Sequence, residues 1–407
     1  MIEGHIPALL PTRMTIESRA AVTLESPASR RPPPLQSVQM LRAVAAMMVL
    51  LFHLVTTSAY GWLPSATANE AERLSFGVAE LVKAIGFAGV DLFFVISGVV
   101  MVYSSWDQLG NRQASIPFLK RRIARIYPLY WVCTATVLAL AWLLPELATR
   151  GKLAWPALAK SWFLWPQAEY PIVAVGWTLT FEMYFYLVFA LLIALPRRYF
   201  LWIIATWGLA TVPLFWHFDR PEFRETSDGF LSLPLFASPL ALEFIAGCCI
   251  GWQARRGSTP AGAIATAAGV IMFVLVGGYV GMRFPEEARY GLMRVAIFGA
   301  ASALVVYGCI ALERDGILSV PRLLKLCGDA SYSLYLTHMY VLWGVAKLWP
   351  AGASQGVDRA AMTMTAIAAC VGTAIVSYQA IERPLHALFS RLFGVTGPAG
   401  PGRTVSN

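Results

Sequence analysis

The sequence predicts an all-α fold: a polytopic transmembrane helical bundle of about ten spans, with both termini in the cytoplasm. Composition is one ground for this. Of the 407 residues 57% are hydrophobic and 14% charged, with a mean hydropathy of +0.59, whereas soluble domains carry roughly 25% charged residues. Recurrence is another: apolar stretches long enough to cross a hydrocarbon core return along the chain until near its end. The third ground is the placement of Lys and Arg, which sets the orientation. Fourteen Trp, fifteen Tyr and twenty-two Phe suit the two membrane interfaces.

Residues 1–36 differ from the rest. They are polar and arginine-bearing, end in Arg30-Arg31-Pro32-Pro33-Pro34, and contain no apolar run of signal-peptide length. A disordered cytoplasmic extension is expected there. An integral-membrane domain is expected over 37–384, with spans near 38–58, 84–104, 126–145, 176–195, 199–218, 233–253, 261–282, 292–312, 326–349 and 361–381. The stretch 155–166 is too short to cross and reads as an interfacial segment. Residues 385–407 form a cytoplasmic tail, one or two amphipathic turns and then a Gly/Pro-rich end. No internal repeat of the inverted-repeat transporter kind is visible.

With these boundaries, the even-numbered loops and both termini hold about nineteen Lys/Arg against about seven acids. The odd-numbered loops hold about ten against about twelve. Lys120-Arg121-Arg122, Arg197-Arg198 and Arg255-Arg256 all fall on the first side, so that side is cytoplasmic and the number of spans is even. The same rule accounts for the net charge of +9 without a nucleic-acid partner, because no soluble domain carries a basic face. The six cysteines, Cys133, Cys248, Cys249, Cys309, Cys327 and Cys370, lie in apolar segments without zinc or disulfide spacing. Inert packed thiols and no metal are expected.

The informative positions are the ionisable residues left inside the spans: His53, Asp91, Glu182, Glu243, Arg294, Asp329 and His338, with Arg42 near the inner end of the first. Each charge at mid-membrane costs about 2.5–3.5 kcal/mol, so such groups face a cavity or a partner. Arg42 and His53 are eleven residues apart, close to three helical turns, and so share a face about 16 Å apart along the axis. His53 therefore lies near the middle of a core about 30 Å thick. On the ninth span, in Ser331-Tyr332-Ser333-Leu334-Tyr335-Leu336-Thr337-His338, the histidine falls at similar depth, and Ser331, Tyr335 and His338 form one stripe. Asp91 and Glu182 lie roughly 9–10 Å in from the outer ends of their spans. The pattern predicts a polar cavity at mid-membrane that opens outward past carboxylates and inward past arginines. Histidines as helix–helix glue are the structural alternative; two at matched depth in a chain with five point to function.

The second loop, around Lys120-Arg121-Arg122-Ile123-Ala124-Arg125-Ile126-Tyr127-Pro128, is basic and cytoplasmic. Arg122 and Arg125, at i and i+3, can present two guanidinium forks on one face, which suits a phosphate-bearing ligand as well as a topology signal. Trp155, Trp162, Trp165 and Tyr170, between the third and fourth spans, suit sugar stacking or an interfacial belt, with the belt favoured.

These residues fall into separated motifs. They are Leu41-Arg42-Ala43 with His53 after ten intervening residues, Gly89-Val90-Asp91-Leu92-Phe93-Phe94-Val95-Ile96-Ser97-Gly98, Arg122-Ile123-Ala124-Arg125 before Tyr127-Pro128, Trp177-Thr178-Leu179 with Glu182, Phe185 and Tyr186, the Ser331-to-His338 run, and Glu382-Arg383-Pro384. From about residue 36 to 384 the chain resembles the acyltransferase-3 family, bacterial inner-membrane enzymes that O-acylate sugars of surface polysaccharides, lipid-linked glycans and some antibiotics.

The resemblance implies that His53 is catalytic and that Arg122 and Arg125, helped by Arg42, hold the phosphates of acyl-coenzyme A. It also implies that Glu182 is functionally sensitive. Asp91 or Glu182 can orient the imidazole, and His338 can serve as a second base or oxyanion donor. Expected partners are a glycan or glycoside acceptor, acyl-coenzyme A (acetyl-coenzyme A foremost), the lipid bilayer and polysaccharide assembly machinery. The soluble hydrolase-like domain of some relatives is not expected after the last span. The competing class is a proton-coupled flippase or exporter of a lipid-linked saccharide, which would use the same intramembrane His, Asp and Glu.

Overall fold

The computed structural model describes Met1 and residues 33–57, 70–143, 155–167, 169–220, 234–257, 260–349 and 356–395. Its contacts divide the chain into Met1–Pro33 and Pro34–Asn407, and the described helices belong to the second unit. The expected disordered extension, up to residue 32, and the tail beyond 395 lie outside the described residues.

Helices account for the regular structure, and among the described residues there is no strand. Lipid explains why: a spanning segment has to satisfy its backbone polar groups internally. In chain order the main helices are α1 Gln36–Thr56, α2 Glu70–Ile85, α3 Gly89–Ser105, α4 Arg112–Leu143, α5 Trp155–Trp162, α6 Trp177–Ile193, α7 Phe200–Phe218 and α8 Leu240–Arg256. The chain continues as α9 Gly262–Arg283 and α10 Gly291–Arg314, α11 Arg322–Asp329, α12 Ser331–Leu348, α13 Gly356–Ser377 and α14 Arg383–Leu392. Single π turns interrupt α9 at Met272–Val276 and α10 at Val295–Gly299, and another joins α13 to α14 at Tyr378–Glu382.

Among the described residues, eight helical runs are long and apolar enough to cross a membrane. The chain is an all-α polytopic helical bundle. The remaining two expected spans fall on α8 and α12, which are shorter, at 17 and 18 residues. Two expectations need local correction. The basic stretch around Arg122 is not a loop: helix begins at Arg112 and runs through it, with Pro117 and Pro128 inside α4. The span expected from 326 begins instead at Ser331, and Asp329 ends the short amphipathic α11.

The centre of the packing is α3, whose Val95, Val99 and Val102 are fully buried. Between apolar helices in lipid there is little hydrophobic drive, so close packing of small residues supplies the attraction. Here α3 and α8 meet backbone to backbone. A Cβ on Gly98 would strike the carbonyl oxygen of Phe244, and one on Gly247 that of Val95. Beside this seam the rings of Phe185 and Phe244 stack with centroids 4.6 Å apart.

Helix α1 packs on α3, α11 and α12, and its first turn is held from outside. Glu313, at the end of α10, accepts from the backbone N–H of Gln36 at 2.7 Å and of Ser37 at 2.8 Å, and from the Ser37 hydroxyl at 2.5 Å. A carboxylate there satisfies orphan donors and complements the helix dipole. This fixes the register of Arg42 and His53.

Replacing Gly247 with Val should abolish detergent-stable, monodisperse protein, because a backbone carbonyl cannot move aside. Gly372, whose Cβ position meets nothing within 4 Å, should accept Ala without loss. Size-exclusion profiles and thermal melts of the two variants check the seam.

Candidate functional site

The packing of α1 on α12 brings the two mid-helix histidines into contact. Nε2 of His338 lies 3.2 Å from Nδ1 of His53, and the ring centroids are 5.0 Å apart. Nδ1 of His53 is also 2.9 Å from the carbonyl oxygen of Val49, and Nδ1 of His338 is 3.0 Å from that of Leu334. A carbonyl only accepts, so in each neutral ring Nδ1 carries the proton. The lone pair on His338 Nε2 is then turned toward His53, and the lone pair on His53 Nε2 faces away from both partners. His53 lines a cavity with Phe52, Tyr170, Trp177, Arg294 and Met339. His338 is buried behind it, at 1% exposure.

A second cavity lies on the Arg42 side of this pair. Arg42 from α1, Arg122 and Arg125 from α4, and Glu182 and Tyr186 from α6 line it together. This slot has a volume of about 90 Å³, against about 250 Å³ for the His53 cavity. Both cavities include Val90 and Tyr335 in their walls. The cavity lined by the guanidinium groups and the one lined by His53 are therefore neighbours, with Val90 and Tyr335 bordering both.

Three arginines and one glutamate give the slot a positive balance. Arg122 sits over the rings of Phe118 and Tyr186, at 5.2 and 5.5 Å, and reaches Ser104 Oγ at 3.4 Å. Among the described residues, Arg42 and Arg125 make neither a hydrogen bond nor a salt bridge to protein, although both feel the charge of Glu382. At the inner end of α12, outside the spans, burial pushes the Asp329 carboxyl above its ordinary value, against the pull of Arg42, Arg125 and Arg383. That weakens its claim on those cations. Half-buried guanidinium groups without a carboxylate partner suit an anionic ligand.

Neither carboxylate proposed from the sequence to orient the imidazole hydrogen-bonds to it. Asp91, 0% exposed, forms a two-pronged pair with Arg294, Nε to Oδ1 at 3.0 Å and Nη2 to Oδ2 at 2.7 Å. Arg294 also donates to the Arg289 carbonyl oxygen at 3.2 Å, and its wall position in the His53 cavity makes Asp91 a neighbour of the site at one remove. Glu182 instead accepts a short hydrogen bond from Tyr186, one turn along the same helix.

Several site contacts were invisible in the sequence because they join distant segments. Ser333 donates to Glu382 at 2.6 Å, linking α12 to the π turn before α14. The Tyr335 hydroxyl lies 2.7 Å from Thr178 Oγ1 and 3.0 Å from the Val175 carbonyl oxygen. Of the Trp-rich segment, only Tyr170 reaches the His53 cavity. Trp162 stacks on Trp131 at 6.1 Å, while Trp155 and Trp165 are exposed. Among the described residues, no group of three or more His, Cys, Asp or Glu is placed to hold a metal.

Residues 35–382 match the model of the acyltransferase domain family. The chain is 33% identical over 313 residues to the exopolysaccharide production protein ExoZ of Rhizobium meliloti (strain 1021), covering 74% of this chain and 90% of that protein. It is 24% identical over 339 residues to the acyltransferase MdmB of Streptomyces mycarofaciens, covering 76% and 83%. No solved structure matches the chain.

Removing one partner of a buried ion pair strands the other, at a cost of about 3–5 kcal/mol. Asp91→Ala should therefore lower the melting temperature sharply in detergent, and the double variant Asp91→Ala/Arg294→Met should recover much of the loss. Equal melts for the single variant and the parent would deny the pair a structural role.

Proposed function

This chain belongs to the acyltransferase family and is a multi-pass membrane enzyme; we propose that it moves an acyl group, acetyl in the simplest case, from acyl-coenzyme A to a sugar hydroxyl. The acceptor is a surface polysaccharide, lipid-linked glycan or glycoside, and the bacterial inner membrane is the site of action. One observation carries this reading: the arginine-lined slot and the histidine-lined cavity share Val90 and Tyr335. The similarity to the exopolysaccharide production protein ExoZ supports a polysaccharide acceptor.

The donor's phosphates stay at Arg42, Arg122 and Arg125 on the cytoplasmic side, where the positive-inside bias puts them. The slender arm follows the slot, and the thioester meets His53 about 16 Å farther along α1, the rise from Arg42. The acceptor comes from the other side, past Tyr170 and Trp177, so the cofactor itself never has to cross.

A sugar hydroxyl is a poor nucleophile, and His53 Nε2 takes its proton as the oxygen attacks the thioester carbonyl. Collapse of the tetrahedral intermediate breaks the C–S bond, and the departing thiolate takes that proton from the imidazolium. The products are the ester and free coenzyme A thiol. While His53 is cationic, its Nδ1–H donates to the Val49 carbonyl and to His338 Nε2. In this role His338 fixes the tautomer and spreads the charge, as a carboxylate does in a hydrolase triad. Arg122 and Arg125 bind; Asp91 positions the cavity wall through Arg294; Glu182 orders Tyr186 in the slot.

Purified protein given labelled acetyl-coenzyme A and glycan acceptor should release thiol and label the glycan; a carrier would do neither. His53→Ala should reduce transfer by about 10²–10⁴-fold while membrane insertion is unchanged, and near-normal transfer would end the base assignment. Arg122→Ala with Arg125→Ala should raise the KM for acetyl-coenzyme A by about tenfold or more at similar kcat. An unchanged donor dependence would leave those arginines as topology signals.

A further inference from the structure

Most polar groups along the slot are already engaged. Thr178 bonds to Tyr335, the Tyr332 hydroxyl donates to the Ile126 carbonyl oxygen at 2.7 Å, and Glu182 accepts from Tyr186. Two are not. Ser97 on α3 and Ser331, the first residue of α12, both line the slot, are 9% and 0% exposed, and have hydroxyl oxygens with no hydrogen-bond partner in the protein. A buried polar atom without a partner is uncommon in a folded protein and calls for an explanation. On α3, Val90, Phe93, Val100 and Met101 line the slot with Ser97 and make that wall apolar. No phosphate belongs among such neighbours, but a neutral polar chain does.

Their level in the slot is also defined. Ser331 precedes His338 by seven residues, roughly 10 Å of helical rise, and Arg42 precedes His53 by eleven, roughly 16 Å. Because the two histidines touch, Ser331 lies between the arginine mouth and the histidine pair.

We propose that Ser97 and Ser331 form an amide-binding neck, whose hydroxyls hydrogen-bond the amide groups of the donor's pantetheine arm as it passes from the arginines toward His53. A hydroxyl both donates and accepts, so it matches the N–H and C=O that interrupt the arm. The proposal rests on the reading of acyl-coenzyme A as donor.

Two donors separate the neck from the mouth: acetyl-coenzyme A, and S-acetylpantetheine, which has the same arm without the nucleotide and its phosphates. With the full chain in detergent, Ser97→Ala and Ser331→Ala should each raise the KM for both donors about threefold to tenfold, the worth of a hydrogen bond, at unchanged kcat. Arg122→Ala with Arg125→Ala should raise it for acetyl-coenzyme A alone. Melting without donor should not fall in the serine variants, because each lost hydroxyl had no protein partner. Should an Ala variant fail to fold, Ser97→Cys and Ser331→Cys keep the volume and take its place. Unchanged KM values in the serine variants, or a rise confined to acetyl-coenzyme A, overturn the neck. Wild-type protein that transfers from neither donor overturns the donor reading itself, and the neck with it.

Discussion

A low-dielectric layer will not hold an isolated charge cheaply, and that constraint explains the arrangement of this bundle. Three responses to it are visible within a few turns of one another. Asp91 and Arg294 neutralise each other across α3 and α10. His53 and His338 each turn Nδ1 to a backbone carbonyl. Arg42 and Arg125 do neither and instead face a slot. The first two responses suffice for a folded protein. The third makes sense when something anionic is to be received, and in an acyltransferase the donor is the natural candidate.

Helix α1 ties these features together because it carries both Arg42 and His53. Its N-terminus is anchored by Glu313, its flank by α3 and its inner face by α12. The close α3–α8 seam at Gly98 and Gly247 then sets where α3 presents Asp91 and Ser97. Under the proposed mechanism, a change far from the histidines would alter the reach from slot to imidazole, since such catalysis is sensitive to misplacement on the order of 1 Å.

Much of this was legible in the residues. Composition and Lys/Arg placement pointed to the helical membrane class, and an eleven-residue interval put Arg42 and His53 on one face. Equal depth suggested that His53 and His338 would matter together, and they are in contact. What escaped was pairing between distant segments. Nothing in spacing links Asp91 to a residue 203 positions away, so Asp91 looked like a partner for His53 when its charge is committed to Arg294. The basic run around Arg122 looked like a loop because its charges resemble a topology signal, yet amphipathic helix is equally compatible with them. Ser97 stood only as a letter in a motif and Ser331 as one position of the stripe that ends at His338; burial without a partner is a property of three-dimensional packing.

The proposed mechanism requires a path from the arginine slot to the histidine pair, and a cryo-EM map of the protein with coenzyme A bound tests it most directly. Phosphate density is expected within hydrogen-bond reach of Arg42, Arg122 and Arg125, with the arm threading past Val90 and Tyr335 and the sulfur beside His53. Coenzyme A lodged outside the slot, or in it with its sulfur turned away from the histidine pair, would contradict that path.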